Sequence, residues 1–183
     1  MLPAPRERTD TLPLELPERT LGYHAAAWMM DNLTQPNGPR AGQPFIPTDR
    51  QIEFLLHFYA LTHKGSFVYR QGIRRLSKGS GKSPFAAALC LFELLGPCRF
   101  DGFDRHEPFG VRAKPMSMPL VQIVATSEAQ TQNTIRMVRA FCQKKGSLAR
   151  KYDLEVAKTF IETPGGGKLQ QMTSSAHSME GGE

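Results

Sequence analysis

The sequence predicts an α/β fold, in which a parallel sheet is flanked by helices. Three stretches carry that prediction. Ser77-Lys78-Gly79-Ser80-Gly81-Lys82-Ser83 leads into an almost wholly apolar run, Pro84 to Leu95. Pro119 to Ala125 is apolar and passes through a polar turn into an amphipathic stretch. Each reads as a strand-to-helix step, and two such steps imply parallel strands with right-handed crossovers. Near the C-terminus, Thr159–Glu162 and Lys168–Met172 flank Pro164-Gly165-Gly166-Gly167, the pattern of a β-hairpin.

The bulk numbers fit that class. The chain has 183 residues, enough for one ordinary domain with a proper core. Hydrophobic residues make up 40% and charged residues 22%, a globular composition. No apolar run is long enough to span a membrane, and the N-terminus lacks the apolar core of a signal peptide. Cys90, Cys98 and Cys142 show no paired spacing, which points to a reducing compartment. The net charge of +6 favours a polyanionic partner. Its one concentration, Arg70, Arg74, Arg75, Lys78 and Lys82, could serve nucleotide phosphates alone, so charge says little about DNA.

In chain order, residues 1–19 hold four prolines and alternating charges and read as an extended, poorly ordered arm. A short helix is predicted from Leu21 to about Leu33, ended by Pro36-Asn37-Gly38-Pro39. Thr48 to Gln51 opens a second helix carrying Ile52, Leu55, Leu56 and Tyr59. Phe67–Tyr69 and Gly72–Leu76 are candidate strands, although Arg74 and Arg75 are unusual in a central parallel strand. Pro84 suits a first helical turn, and Gly96-Pro97 a helix stop. Residues 100–118 read as an irregular loop. Asp101, Asp104, His106 and Glu107 within it lack calcium or zinc spacing. After the 119–125 strand, Ser127 and Gln130 form a capping-box pattern. The helix that follows carries Ile135, Val138, Phe141 and Cys142, and Gly146 closes it. Thr126, Ser127 and Gln130 should then face the crevice at the strand ends.

The 77–83 stretch is the candidate site. Gly79 and Gly81 permit backbone angles that turn successive N–H groups onto an anion. Lys82 can reach β- and γ-phosphates, the Ser83 hydroxyl can ligate Mg²⁺, and the helix start adds its dipole. The strict G-x-x-x-x-G-K-[ST] pattern is not met, because Leu76 replaces the first glycine. The bland alternative is a Gly/Ser turn with a solvated lysine. Gln51 also has two readings. It completes a capping box with Thr48, or its amide matches N6 and N7 of adenine.

Taken together, the loop, the upstream Gln51 and Val124-Ala125-Thr126-Ser127-Glu128-Ala129-Gln130 resemble the start of a large terminase subunit. That subunit is the ATPase motor that packages DNA into tailed-phage capsids. The resemblance covers about residues 45–183 and extends to Ser178-Met179-Glu180-Gly181-Gly182, similar to the segment ahead of the family's Walker B strand. No apolar strand ending in Asp or Asp-Glu is present, so either the fold stops early or the chain is the front part of a longer protein.

The resemblance implies a P-loop NTPase-type domain over 20–183, incomplete. A helical extension would occupy 20–63 and the core 65–183. It implies ATP and Mg²⁺ as ligands, bound through Gln51, Ser77, Lys78, Gly79, Ser80, Gly81, Lys82 and Ser83. Lys82 and Lys78 would act catalytically, and Ser83 would hold the metal. Double-stranded DNA, a small terminase subunit and a portal-bearing procapsid would be partners, with an active oligomeric ring in the host cytoplasm. The competing readings are a non-catalytic nucleotide-binding module, a small-molecule kinase with Arg105 and Arg112 in its lid, and an inert scaffold.

Overall fold

A computed structural model describes residues 15–77, 79–125, 128–142 and 148–173. Most of the predicted N-terminal arm therefore lies outside the described residues, as do Thr126, Ser127, Gly146 and the segment 174–183. Two helices come first, α1 (Gly22–Asn32) and α2 (Asp49–Phe58), close to their predicted spans. They pack so tightly that a Cβ on Gly22 would fall 2.5 Å from the Leu55 carbonyl oxygen. Thr48 precedes α2 in extended conformation, and its N–H donates to Gln51 Oε1 at 2.8 Å. That contact is the Gln51 half of a capping box.

Helix α3 (Lys82–Leu95) is the central element. Alanine and leucine favour the helix, and Pro84 sits in its first turn, where a missing N–H is harmless. Ala87, Ala88, Leu91 and Phe92 have no exposed surface. Phe92 meets Tyr59 edge to face at 5.5 Å and Trp28 at 5.8 Å, so α3 joins α1 and α2. A polar tie reinforces the junction. The Tyr59 hydroxyl donates to Glu93 Oε1, and Arg99 Nη1 donates to Glu93 Oε2 at 2.9 Å. Burial and the adjacent Glu93 charge hold the Tyr59 phenol well above its ordinary pKa.

The predicted irregular loop at 100–118 is instead an antiparallel hairpin, β1 (Arg99–Phe103) and β2 (Val111–Lys114), with a bulge between Phe100 and Gly102. A 3₁₀ turn, Pro108–Gly110, connects the strands. Its charges look like loop residues in sequence, yet they pair across the strands. Lys114 reaches Asp101 at 2.9 Å, and Arg112 lies 3.8 Å from Asp104.

The main sheet has four strands in the order β3–β6–β5–β4: β3 (Leu120–Ala125), β6 (Lys168–Thr173), β5 (Phe160–Glu162) and β4 (Glu155–Val156). β3 and β6 are parallel from Leu120↔Lys168 to Ala125↔Thr173, while β5 and β6 form the predicted hairpin. The sheet is thus mixed, with one parallel pair. Residues 72–76, expected as the strand before the glycine loop, form no strand. Nearby, Phe67 makes only an isolated bridge to Leu61. Two arginines account for this. Both faces of a central parallel strand are apolar, and Arg74 and Arg75 do not suit either.

Helix α4 (Glu128–Cys142) follows β3 and lies against α3, with Ile135, Val138, Phe141 and Cys142 buried as the periodicity predicts. A short helix, α5 (Leu148–Lys151), buries Leu148. One apolar cluster runs from Leu21 through α3 to Ile161 and Leu169, so helical extension and sheet share a core.

Candidate functional site

The glycine loop projects α3 from its N-terminal end. Gly79 has φ +82° and Gly81 φ +75°, left-handed values that side chains rarely adopt. No heavy atom lies within 4 Å of a Cβ placed on either. Conformation rather than crowding is what demands glycine here. Gly81 is the residue before α3, and the Phe85 N–H closes the first turn onto its carbonyl at 3.2 Å. The N–H groups at the helix start have no intrahelical acceptor, a general property of helix ends that suits an anion.

Two side chains brace the loop. Ser80 Oγ donates to the Ser77 carbonyl at 2.8 Å. Lys82 Nζ folds back and donates to the carbonyls of Leu76 at 2.6 Å and Ser77 at 3.0 Å. The ammonium is thus held over its own loop by neutral acceptors, and among the described residues no carboxylate pairs with it. An anion arriving at the loop would exchange two dipolar contacts for a charge-assisted one, the stronger kind.

Gly79, Gly81, Lys82, Ser83 and Pro84 form one wall of a cleft of about 470 Å³. Asn37, Asn133 and Met137 form the other. The volume lies within the range of small-molecule sites. Asn37 comes from the turn between α1 and α2, which is pinned by the Thr34–Pro44 bridge and by Gln35 N–H to Gln43 O at 2.7 Å. Asn133 and Met137 project from α4, so the helix after β3 does flank the loop. Gln130 belongs to the same helix, its side chain outside the described set. Asn37 and Asn133 escaped sequence reasoning. The signal for Asn133 was its spacing of three from Gln130, one helical turn along; Asn37 gave none.

Of the site residues predicted from sequence, Ser77, Gly79, Ser80, Gly81, Lys82 and Ser83 form one continuous loop and helix start. Lys78 lies outside the described residues. Gln51 is on α2, nearly buried, with its Oε1 engaged to Thr48. Phe54, one turn further along α2, meets Phe85 of α3 edge to face at 6.0 Å. That contact brings the start of α2 to the loop's side of the molecule.

No family model matches the chain. It is 38% identical over 185 residues to the Gene 13 protein of Mycobacterium phage L5, covering 91% of this chain and 30% of that protein. It is 37% identical over 183 residues to the Gene 13 protein of Mycobacterium phage D29, again with 90% of this chain and 30% of that protein. The chain therefore spans about 30% of the length of these curated relatives. Among solved structures it is similar to the HK97 bacteriophage large terminase, with a TM-score of 0.59. That match is 15% identical and covers 90% of this chain and 28% of the other. The chain has a terminase-like fold. No helix among the described residues is long and apolar enough to cross a membrane.

Proposed function

We propose that this chain is the ATP-binding portion of a phage large terminase, the motor that drives double-stranded DNA into a procapsid. The observation carrying this reading is Lys82 and Ser83 at the head of a buried helix, behind two left-handed glycines, in a terminase-like fold. The loop N–H groups would bind the phosphate chain. Lys82, released from the Leu76 and Ser77 carbonyls, would neutralise charge on the γ-phosphoryl group. Lys78 would supply a second cation. Gln51 would address adenine through its amide, which requires Oε1 to leave the Thr48 N–H.

The donor set fits Mg²⁺ in one respect, because Ser83 lines the cleft and carries a hydroxyl; among the described residues no side-chain carboxylate lines it. Ser83 would hold Mg²⁺ there, and the ion would supply positive charge that offsets that of the phosphates. Acidic ligands from elsewhere in a longer protein would complete its shell. A small terminase subunit, a portal and an oligomeric ring are the partners proposed for that longer protein.

DNA-stimulated ATP hydrolysis by the full-length protein tests the reading. Lys82→Ala is expected to abolish turnover while leaving the thermal unfolding midpoint unchanged. Hydrolysis at the unaltered rate in that variant would rule it out.

A further inference from the structure

A second cleft, about 620 Å³, adjoins the loop and is lined by Arg74, Arg75, Leu76, Ser77 and Lys82. Lys82 lines both clefts, so they border each other at its side chain. The Arg74 guanidinium carbon lies 4.5 Å from the centroid of Phe85 and 5.2 Å from that of Phe54. Those rings are near perpendicular, at 77°, so the guanidinium sits in the corner they make between α2 and α3. Stacking of this kind fixes a long, otherwise mobile side chain.

Among the described residues the same arginine has no counter-charge. Ion pairs among the described residues use Arg19, Arg99, Arg112, Lys114 and Lys168. No carboxylate, carbonyl or hydroxyl of the described residues accepts an Arg74 N–H. Burial against the rings lowers its pKa, though a guanidinium stays charged at any physiological pH. Arg75 beside it is exposed and, among the described residues, forms no ion pair. A fixed, partly desolvated cation with a free donor edge is arranged for an anion that the chain does not itself supply.

We propose that Arg74, clamped by Phe54 and Phe85, forms with Arg75 and Lys82 a second anion subsite that binds phosphoryl oxygens of the nucleotide held at the glycine loop. This rests on the ATP-binding reading above and adds to it the residues that count phosphates. A nucleotide is favoured over the DNA backbone because Lys82 belongs to both clefts. A polyphosphate paired with Lys82 would border both.

The test is titration of ATP, ADP, AMP, inorganic tripolyphosphate and a duplex DNA oligonucleotide into the intact protein. The variants are Arg74→Met, Arg75→Ala and Lys82→Ala. Arg74→Met keeps apolar cover on the rings and removes the charge. It is expected to weaken ATP and tripolyphosphate binding by about tenfold or more, as for a lost charged hydrogen bond, and AMP binding little. Arg75→Ala is expected to weaken ATP severalfold. Being exposed, Arg75 decides the matter if Arg74→Met fails to fold by circular dichroism. ATP affinity unchanged in both arginine variants, with Lys82→Ala defective, overturns the subsite and leaves the ATP-binding reading standing. An equal loss for AMP, or a loss confined to the DNA, also overturns it. No nucleotide binding by the unaltered protein overturns both.

Discussion

Gly81 holds the backbone turn that aims the loop at the head of α3, and its φ of +75° explains why it is glycine. Left-handed conformation costs an alanine about 1–2 kcal/mol. Gly81→Ala is therefore expected to lower stability by about that amount and to weaken nucleotide binding, as read by chemical denaturation and ligand titration. The space around it is open, so a larger effect on stability would mean that something other than backbone strain is at work. The thiols give a second residue-scale expectation. Burial pushes Cys142 up to about 12 from 9.0, and burial followed by the Glu93 charge pushes Cys90 up to about 12 and Cys98 up to about 11. In each the folded pKa exceeds the unfolded one. Their contribution to stability is thus complete below pH 9 and is lost as pH rises through 11–12. Denaturation midpoints should fall above pH 9, with a shallower fall in Cys142→Ala. A slope identical to the unaltered protein would contradict the assignment for Cys142.

At the scale of elements, α3 is where local sequence and tertiary packing agree. Phe92 is fully buried and touches Tyr59 and Trp28, so Phe92→Ala is expected to cost about 3–5 kcal/mol by equilibrium denaturation. Gly22→Ala tests the α1–α2 approach. Its Cβ would fall 2.5 Å from backbone, and overpacking of that kind costs about 1–3 kcal/mol. A loss under about 0.5 kcal/mol would show that the helices can part without penalty. These helices were legible in sequence because their apolar residues recur at helical spacing. β3 was legible because five of its six residues are apolar, with Gln122 between them, and the β5–β6 hairpin because glycines punctuate it. The β1–β2 hairpin was not, since its cross-strand ion pairs present the composition of a loop. The expected strand at 72–76 failed for a related reason: Arg74 belongs to a ring corner rather than to a ladder.

At the scale of the molecule, one core runs through both the helical extension and the sheet. Trp28, the single tryptophan, lies on α1, packs on Phe92 of α3 and donates to the Tyr152 hydroxyl at 3.3 Å. Its fluorescence therefore reports on three parts of the chain. A two-state domain requires fluorescence and far-ultraviolet dichroism to trace the same unfolding curve. The loop conformation was legible because Gly-x-Gly-Lys-Ser encodes it. Asn37 and the Arg74 clamp were not, since they depend on which distant segments the fold brings beside the loop.

The most direct measurement is titration of a fluorescent ATP analogue with Mg²⁺ into this protein and its Lys82→Ala variant. Saturable binding that ATP displaces, and that the variant loses, is the expected result. Absence of saturable binding, or equal affinity in the two proteins, would contradict the account of the glycine loop as a nucleotide site.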